Sequence, residues 1–155
     1  MNNKRSIAFT VELLGLFILL ILVIVMITQV FVMSRARTIE ARHLTQAVMM
    51  AQSTAEAASS EYDLTALAEK IKAMDNVQSA EADASGSTLD IVFDTDGSPA
   101  GKDFCAVLHR TEDKRDSGVY TKDNIEVYYC VPGELDGKIY ELSTGRHFTA
   151  EEVGS

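Results

Sequence analysis

The chain has 155 residues, two cysteines and a formal net charge of −9 at pH 7. That length allows one small domain beside a long apolar segment, and not two domains. The charge is unevenly divided, because residues 1–60 carry five basic and three acidic side chains and the remaining residues carry nine and twenty. An acidic domain without a basic stripe argues against nucleic acid as a partner.

An almost unbroken apolar stretch covers residues 7–33, and Glu12 is its one ionisable side chain. Residues 13–33 contain no ionisable group, and as an α-helix these 21 residues would extend about 32 Å, enough to cross a hydrocarbon core of about 30 Å. We therefore predict a membrane-spanning helix over residues 7–33 after a short basic leader, residues 1–6. The lipid bilayer is its expected surrounding. The apolar run is longer than that of a signal peptide, so we expect it to remain in the mature protein.

The helix is expected to continue beyond the membrane. Residues 34–60 contain no Gly or Pro and are rich in Ala, which predicts a helical extension. Its apolar positions recur at three- and four-residue steps and form one stripe, made of Leu44, Ala47, Val48, Ala51, Ala55 and Ala58. This stripe needs a partner, either the core of its own domain or a neighbouring helix.

Residues 61–155 have the pattern of a small α+β domain. Asp63 is placed to cap a short helix, and the alternation of Leu89, Ile91 and Phe93 with polar residues indicates a strand with one buried face. A turn over residues 94–99 precedes a hairpin of strands 103–111 and 119–131, with the charged residues 112–118 as its loop, and a last strand covers about 138–142. The predicted fold is α+β: a long N-terminal helix, half transmembrane and half soluble, packed on a small antiparallel β-sheet.

The two cysteines lie in the two strands of the predicted hairpin. If Cys105 faces Cys130 directly, opposite residue numbers sum to 235, so that Arg110 meets Ile125 and the turn is centred on residues 117–118. A disulfide between them would place the domain outside the cytosol. Two reduced, buried cysteines in a cytosol-facing domain are the alternative, because basic residues flank both ends of the apolar stretch and leave its orientation open.

The sequence does not predict an enzyme or a cofactor. Its histidines, His43, His109 and His147, are scattered and belong to no catalytic motif. Cys105 and His109 lie four residues apart on a strand, about 13 Å, which is too far for a nucleophile and its base.

Asp94 and Asp96 are weak metal candidates. The run DTDG at residues 94–97 matches only part of a calcium loop, and the rest of the EF-hand pattern is missing. A solvated acidic turn is the favoured interpretation, since Asp and Gly are ordinary turn residues.

Glu12 is unusual because a carboxylate close to the bilayer core is costly. One interpretation is that it lies near the interface and is hydrated beside Lys4 and Arg5. The other is that it pairs with a positive group on another subunit, so that assembly neutralises its charge.

The N-terminal residues carry a family pattern. Residues 8–14 read AFTVELL, after the basic pair Lys4 and Arg5 and before the long apolar helix. This resembles the start of type IV prepilins and pseudopilins, which have a short basic leader, a Phe-Thr pair, a Glu at the fifth mature position and one long helix leading into a domain with an antiparallel sheet. Ala8 stands where that family has Gly, and Glu12 is fifth when counted from Ala8. The resemblance implies a prepilin peptidase as a partner and Ile7, Ala8 and Phe9 as the processing site.

A second resemblance is to the TadE-like minor pilins of tight-adherence systems, which have a Glu at the start of a single span and an Arg- and Ala-rich helix after it. Residues 34–37, SRAR, and 41–47, ARHLTQA, are similar to that pattern. Both resemblances imply a single-pass cell-membrane subunit of a pilus-like assembly that contacts other subunits through its N-terminal helix, with Glu12 and Phe9 as registration residues. The alternative is an anchored extracytoplasmic binding or sensor domain that does not polymerise.

Overall fold

A computed structural model of the chain describes residues 2–94, 103–115, 117–131, 134–149 and 153. The chain divides into two compact units, Met1–Arg42 and His43–Ser155. Its elements are α1 (Asn2–Ala58), α2 (Leu64–Lys72), β1 (Val77–Ala82), β2 (Thr88–Phe93), β3 (Asp103–Arg115), β4 (Gly118–Val131) and β5 (Glu134–Thr149). The predicted α+β layout, with a long N-terminal helix and a small antiparallel sheet, is confirmed.

Helix α1 continues without a break from the apolar stretch into the second unit, as the absence of Pro and of any Gly after Gly15 predicts. It ends at Ala58, and Ser59 and Ser60 follow it. Their hydroxyl groups donate hydrogen bonds back to the carbonyl oxygens of Glu56 (2.7 Å) and Ala57 (2.6 Å) and so add to the hydrogen bonding of the last turn.

Helix α2 begins at the predicted cap. The Asp63 carboxylate accepts hydrogen bonds from the backbone N–H groups of Thr65 (3.2 Å) and Ala66 (3.3 Å). The helix buries the apolar side chains that the sequence pattern selects, namely Leu64, Leu67, Ala68 and Ile71.

The five strands form one antiparallel sheet in chain order, β1-β2-β3-β4-β5. Strand β1 is not predicted from the sequence, because its alternation is weak and only Ala80 is fully buried. Strand β5 is far longer than the predicted 138–142. Polar side chains occupy much of its length, but backbone pairing with β4 holds it in the sheet.

The predicted hairpin register is wrong by two residues. Strand β3 pairs Arg115 with Gly118 of β4, so opposite residue numbers sum to 233, Arg110 faces Asp123 and Cys105 faces Tyr128. Two residues make the connection, and a connection of that length sets the register. Residues 112–115, predicted as part of a loop, are strand instead, because the ladder extends beyond the core. A shift of two positions leaves every side chain on its original face.

The disulfide between Cys105 and Cys130 is present, but it joins diagonal positions and not opposite ones. The two Cα atoms are 5.8 Å apart, within the range that a disulfide bridges. Because side chains alternate along β3, Cys105 lies on the sheet face opposite to the core residues Phe104 and Ala106.

The core lies between one face of the sheet and the helices. Its largest fully buried side chains come from the strands β2 to β5 and from α2, and α1 contributes mainly small residues. Leu44, predicted to be in the apolar stripe, is 46% exposed, and His43 is buried in its place. The buried side of α1 therefore follows His43, Ala47, Met50, Ala51, Thr54, Ala57 and Ala58.

Replacing both Cys105 and Cys130 by Ala should lower the stability of the sheet. The bridge closes a loop of 25 residues, and the chain-entropy model assigns such a loop roughly 3.5 kcal/mol. Amide hydrogen exchange of β3 and β4 in the detergent-solubilised full chain measures the change. Reducing agent should destabilise the wild type similarly and leave the double variant unaffected; equal protection in all samples would contradict this.

Candidate functional site

The N-terminal unit is an apolar helix that its own chain leaves uncovered. Every described side chain from residue 9 to residue 42 is exposed, including bulky ones such as Phe17 (56%) and Phe31 (72%). By length and composition, α1 is able to cross a membrane, and it is the single such helix in the described part of the chain. The apolar surface therefore needs lipid or other helices around it.

The predicted registration residues, Phe9 and Glu12, and the predicted processing site lie at the start of this helix. Ile7 and Phe9 are 63% and 67% exposed, and Glu12 is exposed as well. Phe9 and Glu12 are three residues apart and so share one helix face. Among the side chains that the structure describes, Glu12 has no hydrogen-bond or ion-pair partner; the side chains of Lys4, Arg5 and Ala8 lie outside them.

Three arginines follow the apolar stretch, and we call Arg35, Arg37 and Arg42 the basic segment. All three are exposed, and none contacts a carboxylate within the described part of the chain.

The end of α1 is tied to the sheet by one buried arginine. Arg110, on β3, binds the carboxylate of Asp123 on β4 through both oxygens, with Nε–Oδ1 at 2.7 Å and Nη2–Oδ2 at 2.8 Å. It also donates to the backbone carbonyl oxygens of Ala58 (3.1 Å), Glu61 (3.0 Å) and Tyr62 (2.5 Å). All five N–H groups of the guanidinium are thus used.

This ion pair is deeply buried, with the side chains of Arg110 and Asp123 only 1% and 4% exposed. The last turn of α1 has no basic residue of its own. Arg110 supplies positive charge there from the sheet, at the helix end where the backbone dipole favours a cation. The guanidinium therefore couples the end of α1, the following linker and the β3–β4 pair.

A signal for this site exists in the sequence. Arg110 continues the inward series Phe104, Ala106, Leu108, and a charged residue at such a position needs a buried partner. The partner is evident only with the correct register, which sets Asp123 opposite Arg110.

The histidines and the acidic metal candidates of the sequence analysis do not form a common site among the described residues. His43 is buried in α1, where its Nδ1 lies 3.0 Å from the hydroxyl of Tyr129, whereas His109 and His147 lie on β3 and β5. Asp94 is exposed, and Asp96 lies outside the described residues. Within the described ranges, no group of three or more His, Cys, Asp or Glu side chains is arranged to hold a metal ion.

A polar cluster covers the outer face of the sheet at β4 and β5. Tyr128 donates a hydrogen bond to Glu126, and Lys138 bonds Glu126 (3.3 Å) and Glu141 (2.6 Å). The Tyr128 hydroxyl and the Lys138 ammonium together hold the pKa of the Glu126 carboxyl below its usual value, against partial burial, which acts in the opposite direction. The cluster thus favours the ionised form of Glu126.

An open cleft lies beside α1 at one end of the sheet and has a volume of about 530 Å³. Helix α1 contributes Gln46, Met49, Met50 and Ser53, the α2–β1 connection contributes Asp75 and Asn76, and Asp94 follows β2. A hydrogen bond from the Asp94 backbone N–H to the Asn76 carbonyl oxygen (3.0 Å) joins the last two segments. We call this feature the acidic cleft.

Comparison with known protein families, curated proteins and solved structures gave no significant match to this chain. The features of this chain that bear on its function are the exposed apolar helix, the basic segment and the acidic cleft.

Replacing Arg110 by Met should destabilise the second unit by about 3 to 5 kcal/mol, because Asp123 would be left buried without its cation. The double variant Arg110→Met/Asp123→Leu should recover part of this loss, since it removes both charges. Hydrogen exchange of the β3 and β4 amides measures both effects.

The matched control is Arg115→Met, which breaks the exposed pair with Asp113 and should cost about 1 kcal/mol or less. Equal effects of Arg110→Met and Arg115→Met would contradict the role given to Arg110.

The Glu126 cluster predicts an acid-dependent loss of stability. A carboxyl whose pKa is lowered in the fold stabilises the folded state above its unfolded pKa of about 4.3, and this contribution disappears as the pH falls through the lower folded pKa. Between pH 6 and pH 3, the wild type should therefore lose more stability in β4 and β5 than Glu126→Gln does. Thermal unfolding at both pH values tests this, and identical losses would refute it.

Proposed function

We propose that the chain is a membrane-anchored, pilin-like or pseudopilin-like subunit of a bacterial type IV pilus, tight-adherence or type II secretion-like assembly, and that it acts by bundling its N-terminal helix with those of other subunits. The observation that carries the proposal is the exposure of the whole apolar half of α1. A helix that is apolar on every side is stable in lipid or in a bundle of similar helices, and both surroundings are needed by a subunit that leaves the bilayer to join a filament.

Glu12 is the proposed registration residue. It is the one carboxylate in the apolar stretch, and it is exposed on the same helix face as Phe9. Burying it among helices is costly unless a positive group, such as the amino terminus of a neighbouring subunit, pairs with it. A subunit in the wrong position would leave the carboxylate unpaired, so the charge favours one register.

Within the second unit, the last turns of α1 are packed on the sheet and joined to it by a hydrogen bond. Small side chains let the last turns of α1 lie close to the sheet, and Arg110 binds the Ala58 carbonyl at the end of the helix. The disulfide between Cys105 and Cys130 favours an extracytoplasmic position for this unit in a single-pass membrane protein.

The second candidate function is an anchored extracytoplasmic binding or sensor domain that does not polymerise. The acidic cleft favours it, because a concave site with several polar groups is typical of ligand binding. The N-terminus distinguishes the two functions: a methylated new amino terminus at Ala8 or Phe9 in the mature protein supports the pilin-like role and a prepilin peptidase as partner.

In cells that assemble the wild-type chain, Glu12→Ala should lower its amount in the sheared surface fraction by at least about tenfold, the equivalent of 1.4 kcal/mol. The amount in the membrane and the hydrogen-exchange protection of the sheet should stay unchanged, because Glu12 belongs to the other unit. Quantitative immunoblots of both fractions give the result.

Glu40→Ala is the matched control, since Glu40 is an exposed glutamate of the same helix outside the apolar stretch. It should assemble normally. Normal amounts of the Glu12→Ala chain in the sheared fraction would count against the registration role.

A further inference from the structure

We propose that the acidic cleft of one copy binds the basic segment of a second copy. The inference rests on the proposed function in one respect, that several copies lie side by side in the same membrane. It adds a contact on the aqueous side of the apolar stretch, made by residues other than Glu12.

The described residues of the cleft offer acceptors and apolar surface and include no cation. Asp75 and Asp94 are exposed carboxylates with no basic partner among the described residues, and the described part of the lining contains no Lys or Arg. The side-chain oxygen Oε1 of Gln46 is buried, and no described group donates a hydrogen bond to it. Met49 and Met50 add flexible apolar surface.

An arginine side chain matches this lining. Its guanidinium donates several hydrogen bonds in a plane and pairs well with carboxylates, and its aliphatic stem packs on apolar side chains. A small metal ion would leave the methionine surface uncovered, and an apolar ligand would leave both carboxylates unpaired. The occupant that fits is therefore a cation with an apolar stem.

The same chain supplies that occupant three times, because Arg35, Arg37 and Arg42 are exposed and have no carboxylate partner within the described residues. Electrostatic attraction acts in the same direction over a longer range, since residues 1–60 have a net charge of +2 and the remainder −11. A second copy of the chain thus carries both halves of the contact. Each copy would give its basic segment to one neighbour and its cleft to another, which is a head-to-tail contact that extends along an assembly.

The test places a photo-reactive p-benzoylphenylalanine at Met49, which lines the cleft and is 64% exposed. Unlabelled and ¹⁵N-labelled full-length chains are mixed in phosphatidylcholine vesicles and irradiated, and mass spectrometry identifies the cross-linked peptides. We expect products that join residue 49 of one isotope to residues 35–42 of the other. Cross-links confined to one isotope would mean that the cleft takes the arginines of its own chain, and would overturn the proposal.

Charge reversal then tests the chemistry. Asp75→Lys/Asp94→Lys in all copies should reduce the mixed-isotope product at least about tenfold, and so should Arg35→Asp/Arg37→Asp/Arg42→Asp. Combining both sets should restore it, because the opposite charges are exchanged. Asp90→Lys, on an exposed position of β2, is the matched control and should leave the yield unchanged. Losses without rescue would refute a direct charge contact.

Two further samples separate the alternatives. Vesicles with anionic phosphatidylglycerol should still give the product; its disappearance there would show that lipid headgroups, and not the cleft, hold the arginines. A second probe at Phe17 reports contact between apolar helices. Helix-to-helix products without the Met49 product would leave the proposed function standing and overturn this inference, whereas the Met49 product alone would support the inference and count against helix bundling.

Discussion

The second unit depends on the burial of one guanidinium. Taking Arg110 and Asp123 out of water costs several kcal/mol per ion, and attraction between the two charges offsets that cost only when the remaining polar atoms are also satisfied. Here three backbone carbonyls at and beyond the end of α1 accept the remaining N–H groups. The end of the helix, the linker and the central hairpin must therefore form together, because each one completes the hydrogen bonding of the same side chain.

The two units differ in how their apolar surface is covered. In the second unit, the strands and α2 supply most of the large side chains and α1 supplies mainly small ones, so that the core is closed within the chain. In the first unit, nothing in the described chain covers the apolar helix. The same helix is thus both a component of a folded core and an uncovered apolar surface. The apolar half of α1 therefore needs lipid or neighbouring helices around it, whatever the second unit does.

Local sequence patterns predicted much of this fold. The features that depend on contacts between distant parts of the chain were not predicted correctly. The course of α1, the cap at Asp63 and the buried face of β2 follow from residue spacing, because each depends on neighbours in the sequence. The hairpin register does not, since it is set by the turn, and assuming directly opposed cysteines moved it by two positions. That error concealed the pairing of Arg110 with Asp123. The acidic cleft was missed for a similar reason: residues from α1, from the α2–β1 connection and from the end of β2 meet only in the folded sheet.

The distribution of charge bears on how copies can be arranged. A domain of net charge −11 repels other copies of itself, and close packing of such domains in an assembly needs a compensating cation. The basic segment is the largest run of unpaired positive side chains in the described chain, and it follows the apolar stretch directly. Placing it against the acidic part of a neighbour lowers the repulsion between domains while the apolar helices remain in contact. Apolar contact alone is non-directional. In the proposed assembly, charges would therefore set the register between copies, and Glu12 and the basic segment are the exposed charges described on α1 at the two ends of its apolar stretch.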